Sequence, residues 1–312
     1  MYYPYFRGKQ YELILLRDRA TFLRDQAIRP IVEPVRSNLS SLSRAIGSLN
    51  EANTDFVLVT NPHVGELQSR VPRRDLEELL GNSPNGSLGI IVDRLVSVEE
   101  VVSWLSRRPN SQHSIIHGGS SNGRELAQAT SALTNVREHV FLENPTGKLY
   151  QRNFREAKAL RVLVRDAFKT RKNADYDESE HFSDLHVMYE DEGMDGFGDY
   201  LIVGEEYSDT GGPAYAVAIH ITYIDPATDD MFIYHFKSRQ NSSPSNPAGK
   251  FMEALELLVS KLNDPDANIF DSGGCQQFVS LYNKQHFPGL GKVKQICMEH
   301  HLELIADFLG SV

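Results

Sequence analysis

The sequence predicts an α/β protein, a (β/α)8, TIM-barrel-like single domain with an irregular C-terminal quarter. Short apolar runs rich in Val and Ile recur about every 25 residues, enough for one strand, one crossover helix and two loops. The runs are nearly continuous, as in parallel strands covered on both faces, and amphipathic segments separate them. This regular spacing favours a closed barrel over the alternative, an open doubly wound sheet followed by a small α+β domain.

The predicted domain covers residues 1–312. Residues 1–28 form an N-terminal helical segment, 29–204 hold the regular βα repeats, and 205–312 hold a hairpin and closing helices. The predicted strands begin at residues 29, 55, 88, 113, 139 and 161, and a seventh begins at Gly196.

Two of the intervening segments have recognisable helix starts. Ser97 with Glu100 three residues later forms a capping-box pattern, in which each side chain bonds the other residue's backbone N–H. Asn122 is positioned to cap a helix that runs to Val136.

The last third of the chain has a different pattern. Two apolar stretches, 215–223 and 231–237, flank the turn-forming segment Asp225–Asp230, which predicts a β-hairpin. Helical spacing follows over 246–262, 274–284 and 292–309. A hairpin is antiparallel, so we expect the barrel to close irregularly here.

Composition narrows the class of protein. The chain has 42 acidic and 32 basic residues and a net charge of −10, which argues against extended nucleic acid or an anionic membrane as partner. Its two cysteines are too few for a disulfide framework or a thiolate zinc site. No apolar run approaches the roughly 20 residues of a membrane span, and no signal-peptide core opens the chain. We therefore expect a cytoplasmic protein.

Several short motifs resemble the Beta family of bacterial and phage proteins. They are the opening Tyr3–Glu12, the Glu33 segment, Phe197–Tyr200 (FGDY), the aromatic strand Phe232–Arg239 that ends in a basic residue, and Glu299–Leu302 (EHHL). The resemblance implies a barrel-like fold and a setting near mobile-element and phage-defence genes. It also implies a protein partner encoded nearby, and it makes Arg239 a candidate ligand-binding residue.

Polar side chains follow almost every predicted strand. In a (β/α)8 barrel, functional groups collect at the C-terminal ends of the strands. The candidate catalytic residues are Glu33, His63, Asp93, Glu143, Asp166 and Asp199. The candidate ligand-binding residues are Arg94, His117, Gly118, Gly119, Asn144 and Arg165, besides Arg239. The other interpretation is that these residues are the ordinary polar side chains of a barrel mouth, some of them paired in salt bridges.

This set of side chains indicates a reaction class. Carboxylates and imidazoles bind divalent cations such as Mg²⁺ or Mn²⁺, and arginines bind phosphate in bidentate geometry. Together they fit metal-assisted phosphoester hydrolysis, although the cofactor itself is not identified. Gly118 and Gly119 lead into a helix whose N-terminus could present N–H groups to an anion, the alternative being a flexible loop.

Two functions from different classes follow. The first is a metal-assisted phosphoesterase or nuclease-like hydrolase acting on a small phosphorylated or nucleotide ligand. The second is a non-catalytic recognition or scaffold subunit whose polar mouth binds a ligand while a separate effector acts.

His300 and His301 are expected to be structural, because adjacent helical residues point about 100° apart.

Overall fold

The computed structural model describes residues 1–81, 83–209 and 212–311. The chain divides into two compact units. Met1–Asp166 with Met188–Tyr200 form the barrel unit, and Ala167–Val187 with Leu201–Val312 form the second unit. The predicted boundaries of a single domain over residues 1–312 stay a prediction.

Helices and strands alternate through most of the described chain. In order they are β1 (Tyr5–Phe6), α1 (Gln10–Asp18), α2 (Ala20–Asp25), β2 (Ile31–Val32), α3 (Ser40–Glu51), β3 (Phe56–Val59), α4 (Arg74–Leu80), β4 (Gly86–Val92), α5 (Val98–Arg107), β5 (His113–His117), α6 (Gly123–Thr130), β6 (Val136–Leu142), α7 (Lys148–Gln151), β7 (Leu160–Arg165), β8 (Ser179–Ser183), α8 (Leu185–Met188), β9 (Gly196–Asp199), β10 (Ala218–Ile224), β11 (Met231–Lys237), α9 (Pro247–Leu262), α10 (Gly273–Asn283) and α11 (Leu290–Ser311). Within the described residues, no helix combines the length and apolarity that a membrane crossing requires.

The barrel unit confirms the predicted fold class. Strands β1 to β7 and β9 form one parallel sheet in chain order. Tyr2 forms a parallel bridge with Phe197, and the Tyr3 N–H donates to the Phe197 carbonyl at 2.8 Å. The last strand therefore meets the chain just before the first, and the eight strands form a nearly closed TIM-type barrel.

Alternate residues of each strand fill the barrel. The interior cluster contains Tyr3, Tyr5, Ile31, Val57, Val59, Ile91, Ile116, Val140, Val162, Val164 and Tyr200. All seven residues of β4 are buried, which explains its continuous apolar sequence: one face meets the interior and the other meets helices.

A polar network occupies the barrel interior near the starts of the strands. The Arg29 Nε lies 2.7 Å from the Glu138 Oε1, and neither side chain is more than 1% exposed. The Arg29 guanidinium also donates to the Ser87 hydroxyl at 2.6 Å, and the Ser114 hydroxyl donates to Glu138 at 3.0 Å. The N-terminal end of a TIM barrel serves stability, so this network is structural.

Local predictions in the barrel unit were partly wrong. Residues 1–28 contain β1 as well as helices. The strand was not predicted, because it has only two residues beside Pro4 and lacks a Val/Ile run. The capping box of Ser97 and Glu100 is present. Helix α6 ends at Thr130 without a side-chain cap from Asn122, and Val136 begins β6 instead.

The second unit confirms the predicted hairpin. Strands β10 and β11 pair antiparallel, and the Asp225 N–H donates to the Asp230 carbonyl at 2.9 Å across the turn. Strand β8 pairs with the other edge of β11, giving the sheet order β10-β11-β8. This third strand lies in an acidic stretch that predicts no strand, so the unit has a sheet of its own.

Candidate functional site

The mouth of the barrel, at the C-terminal ends of its strands, is organised around Glu33. Tyr5 and Ile31 both belong to the interior cluster, and they lie opposite each other in neighbouring strands. Two residues further along each strand come Arg7 and Glu33. Side chains two apart on a strand share a face, so both point inward above the core.

The Glu33 carboxylate is fully buried and accepts three hydrogen bonds. The Tyr5 hydroxyl donates to it at 2.8 Å, and the backbone N–H of His63 donates at 2.7 Å. The Arg7 guanidinium forms the third contact, an ion pair. Burial, followed by the neighbouring Glu33 charge, raises the pKa of Tyr5 well above its ordinary value, so this phenol is a fixed donor.

Two aromatic rings enclose the Arg7 guanidinium. Its carbon atom lies 5.2 Å from the ring centres of both Tyr5 and Tyr200, and the two ring centres are 4.9 Å apart. Burial acts to lower the pKa of Arg7, but the Glu33 charge and its other neighbours outweigh burial and raise it. A buried cation with one carboxylate and two aromatic rings forms a rigid floor to the mouth.

His63 provides the open hydrogen-bonding group of the mouth. Its Nε2 is buried and has no hydrogen-bond partner in the described chain. Burial lowers the pKa of His63, against the charges of Glu33 and Asp93, while Arg70 and Arg7 lower it further. The imidazole is therefore neutral at neutral pH, and two carboxylates and two guanidinium groups act on it.

Structure places His117 away from the mouth. Ile116 belongs to the interior cluster, so the next side chain points outward through the barrel wall. There the His117 Nδ1 lies 2.8 Å from the Tyr150 hydroxyl, and its Nε2 lies 3.0 Å from the His139 Nδ1. Burial lowers the pKa of His117 well below its ordinary value. The structure thus places His117 among packed side chains outside the barrel wall and not at the mouth, where it was predicted.

Glu143 and Arg165 bind each other. The Arg165 guanidinium donates to both oxygens of the Glu143 carboxylate, at 2.8 and 2.9 Å. Val164 faces the interior, so the next side chain, that of Arg165, faces outward. This half-exposed bidentate pair lies on the outer side of the rim, which corrects the prediction that both residues face the mouth.

Asp199 also points away from the interior. Gly198 and Tyr200 are the residues of this strand that are in phase with the core, and Tyr200 belongs to it. The buried Asp199 carboxylate accepts a hydrogen bond from the Tyr2 hydroxyl at 2.7 Å. The expectation that Asp199 is aimed into the mouth is therefore wrong, because it lies out of phase by one residue.

Asp93 and Arg94 occupy the turn after β4. The Asp93 carboxylate accepts the Leu95 N–H at 2.8 Å, which holds the turn, and Arg94 is exposed. Asn144 is exposed after β6, and Asp166 is partly buried after β7. The charge of Asp93 acts on His63, which places these two residues near each other.

The glycine loop after β5 has a conformational reason. Gly119 has φ +100°, in the region that favours glycine, and a Cβ there would lie 3.0 Å from the Pro145 Cβ. The Gly118 N–H donates to the Val92 carbonyl at 2.9 Å and so continues the strand pairing. The positive φ explains Gly119, and crowding explains Gly118, because a Cβ there would lie 3.1 Å from the Ile91 Cγ2.

The remaining predicted residue, Arg239, belongs to the second unit. Its side chain is exposed and lies 3.7 Å from Glu256, and its backbone N–H donates to Glu253. Across residues 1–81, 83–209 and 212–311, no group of three or more His, Cys, Asp or Glu side chains is arranged to hold a metal ion.

Sequence reasoning missed Tyr5, Arg7 and Tyr200. The signal was present in the opening residues, where Tyr3, Tyr5 and Arg7 alternate with a period of two. That period is typical of a strand whose alternate side chains share one face. It was overlooked because the segment lacks an extended apolar run.

Comparisons with known proteins add little. No family model matches the chain, and no curated protein matches it. One similar solved structure is the endo-1,4-beta-mannanase from Rhizomucor miehei, with 10% sequence identity and a TM-score of 0.35 over 63% of this chain and 85% of that one. A likeness at this level carries no argument, and the fold class rests on the strand order and pairing described above.

Proposed function

We propose that the barrel unit is a recognition module that binds a small polar ligand at its mouth, through His63. The observation that carries this proposal is the buried Nε2 of His63, which has no hydrogen-bond partner among the described residues. A buried polar atom left without a partner costs about 1–3 kcal/mol, and a ligand or water at the site would remove that cost. Other buried atoms of the described chain also lack a partner, so it is the place of His63 at the mouth that points to a ligand. The C-terminal end of the strands is also where TIM barrels bind ligands.

The charges around His63 restrict the ligand. Glu33 and Asp93 contribute negative charge and Arg7 and Arg70 contribute positive charge, so the local field is mixed. A neutral imidazole in a mixed field fits a ligand with hydrogen-bonding groups and little net charge. A phosphorylated ligand, the class predicted from the sequence, is the next candidate and would use the arginines.

Recognition fits the mouth better than metal-assisted hydrolysis. The hydrolase hypothesis requires Glu33 as metal ligand or base, but this carboxylate already accepts three hydrogen bonds. Glu143 is held by Arg165 on the outer rim. Of the predicted acids and bases, Glu33, His63 and Asp93 lie near the mouth, and the carboxylate of Glu33 is already engaged.

The wider setting of the protein rests on its motifs. We propose that the chain is a member of the Beta family, on the strength of the motifs between Tyr3 and Leu302. In that setting it would pair with a separate effector protein in phage defence. Co-purification of this chain with the product of a neighbouring gene tests the pairing.

Calorimetry with defined probes tests the ligand site. The probes are adenosine, adenosine 5′-monophosphate and inorganic phosphate, titrated into wild type, His63→Phe and the control His113→Phe. His113 is a buried histidine at the start of β5, far along the strand from the mouth, so the control carries the same substitution. We expect saturable binding of at least one probe to wild type and control, and at least tenfold weaker binding to His63→Phe.

The same samples separate recognition from hydrolysis. Adenosine 5′-monophosphate is incubated with each protein and Mn²⁺, and released phosphate is measured. Binding without phosphate release supports recognition. Release that His63→Phe abolishes and His113→Phe retains would replace the recognition proposal with the hydrolase. Equal affinities of the two variants would remove His63 from the site.

A further inference from the structure

The second unit places a carboxylate and two imidazoles on one face of its sheet, with Glu180 opposite Ile233, two residues from His235. Strand β10 carries His220, which lies directly opposite His235 of β11. Strand β8 flanks β11 on its other side and carries Glu180. Three neighbouring strands thus contribute one side chain each to a single cluster.

Short distances connect these three side chains. The Nδ1 atoms of His220 and His235 are 2.7 Å apart. The Nε2 of His235 is buried, and the Glu180 Oε1 lies 3.3 Å from it. The Arg171 guanidinium donates to both Glu180 oxygens, at 2.9 and 3.0 Å, and the Tyr176 ring stacks on His235 at 4.3 Å. The carboxylate is therefore held as an anion beside a fixed imidazole.

The arrangement of Glu180, His235 and His220 indicates which nitrogen of each imidazole carries the proton. The His235 Nε2 makes no hydrogen bond in the described chain, but the negative charge of Glu180, 3.3 Å away, favours a proton on this nitrogen, which leaves the lone pair on Nδ1. That lone pair requires a donor at 2.7 Å, which makes the Nδ1 of His220 protonated. Burial lowers the pKa of both imidazoles, that of His235 to about 4, so both are neutral at pH 7. The Nε2 of His220 is left with its lone pair.

This lone pair is open to a ligand. The His220 side chain is partly exposed, and within the described chain the one hydrogen bond of its imidazole is that to His235. The rings of Phe168 and Tyr176 lie 5.1 and 5.0 Å from the imidazole and form apolar walls beside it. Lys294 adds positive charge nearby.

We propose that Glu180, His235 and His220 form a hydrogen-bond relay that binds a small molecule carrying a hydroxyl group. The ligand's hydroxyl donates a hydrogen bond to the Nε2 lone pair of His220, and its O–H bond stays intact. The Nδ1–H of His220 donates in turn to the Nδ1 of His235, whose ring the charge of Glu180 orients. A carboxylate that fixes an imidazole tautomer has the same role in serine-hydrolase triads.

Nitrogen NMR of the full chain tests the relay without a known substrate. With ¹⁵N-histidine, the Nδ1 and Nε2 chemical shifts distinguish the two neutral tautomers, and loss of a signal in His220→Gln and in His235→Gln assigns each ring. We expect His220 to carry its proton on Nδ1 at pH 7, although Nε2 is the favoured position in free histidine. A proton on Nε2 of His220 would overturn the proposal.

A pair of variants and a chemical probe complete the test. Glu180→Ala should shift His220 toward the Nε2–H form, whereas Glu178→Ala, on the neighbouring exposed glutamate, should leave it unchanged. Diethyl pyrocarbonate, which acylates unprotonated imidazole nitrogen, should modify His220 at least tenfold faster than buried His235. Equal tautomers in both variants, or equal acylation rates, would refute the relay.

Discussion

Replacement of Glu33 by glutamine tests whether the mouth depends on one buried ion pair. The Glu33 side chain is 0% exposed and that of Arg7 is 10% exposed, so neither charge is screened by water. Glutamine keeps the volume of the side chain but removes the charge. It also presents an amide N–H₂ group to Arg7, Tyr5 and the His63 N–H, which are all donors.

The expected cost is large. Removing one partner of a buried ion pair leaves an uncompensated charge and destabilises a protein by about 3–5 kcal/mol. The whole free energy of unfolding of a typical domain is about 5–15 kcal/mol, so Glu33→Gln should remove roughly a fifth of it or more. The control Glu143→Gln breaks a pair whose side chains are 35% and 22% exposed. Screening by water should limit that loss to about 1 kcal/mol.

Urea unfolding followed by tryptophan fluorescence measures both variants. Trp104 is the single tryptophan and lies in α5, so its emission reports on the barrel unit. The double variant Arg7→Met with Glu33→Leu removes both charges and should recover most of the lost stability. The reasoning fails if Glu33→Gln costs no more than Glu143→Gln, or if the double variant is less stable than Glu33→Gln.

Three further predictions concern single side chains. Burial lowers the pKa of His300 to about 4, so its ring is neutral in the folded protein and takes up a proton on unfolding below pH 6.5. The free energy of unfolding should therefore fall by roughly 3 kcal/mol from pH 6.5 to 4. Urea midpoints measured across this pH range should show a smaller fall in His300→Gln. Ser272→Ala removes the cap of α10 and the 2.7 Å bond to His300 and should cost about 1–2 kcal/mol in the same assay, a neutral result excluding the cap. Gly119→Ala, at φ +100°, should lower stability by about 1–3 kcal/mol. Gly147→Ala, where an added Cβ meets no atom within 4 Å, should change stability by about 0.5 kcal/mol or less. Similar melting temperatures of the two variants would contradict this.

The fold class could be predicted because barrel strands are buried on both faces. Apolar residues occupy both faces of β4 from Leu88 to Val92, and Ile115 and Ile116 occupy the two faces of β5, so these strands are visible in the sequence without any knowledge of their neighbours. Strand β1 was hidden because it consists of two aromatic residues, which form no Val/Ile run. Strand β8 was hidden because it lies in an acidic stretch, and its own glutamate, Glu180, pairs with Arg171.

Helix α11 in the second unit shows the same limit for a single buried side chain. His300 was predicted to be structural from helix geometry, and it bonds the Thr222 carbonyl at 2.7 Å and the Ser272 hydroxyl at 2.7 Å. Burial raises the pKa of the neighbouring Cys275 to about 11, so this thiol stays protonated. Which groups His300 bonds depends on packing between elements far apart in sequence, and no local pattern contains that information.

The candidate site was predictable only in part, because side-chain direction depends on phase. A residue two positions beyond the last interior residue of a strand continues the inward face, and a residue one position beyond it does not. Glu33 follows interior Ile31 by two positions, whereas Glu143 follows Leu142 by one, and Leu142 packs against the interior cluster. The first carboxylate is buried at the mouth and the second pairs with Arg165 on the outer rim. Strand ends chosen by polarity alone therefore mix two faces of the wall, and phase relative to the core separates them.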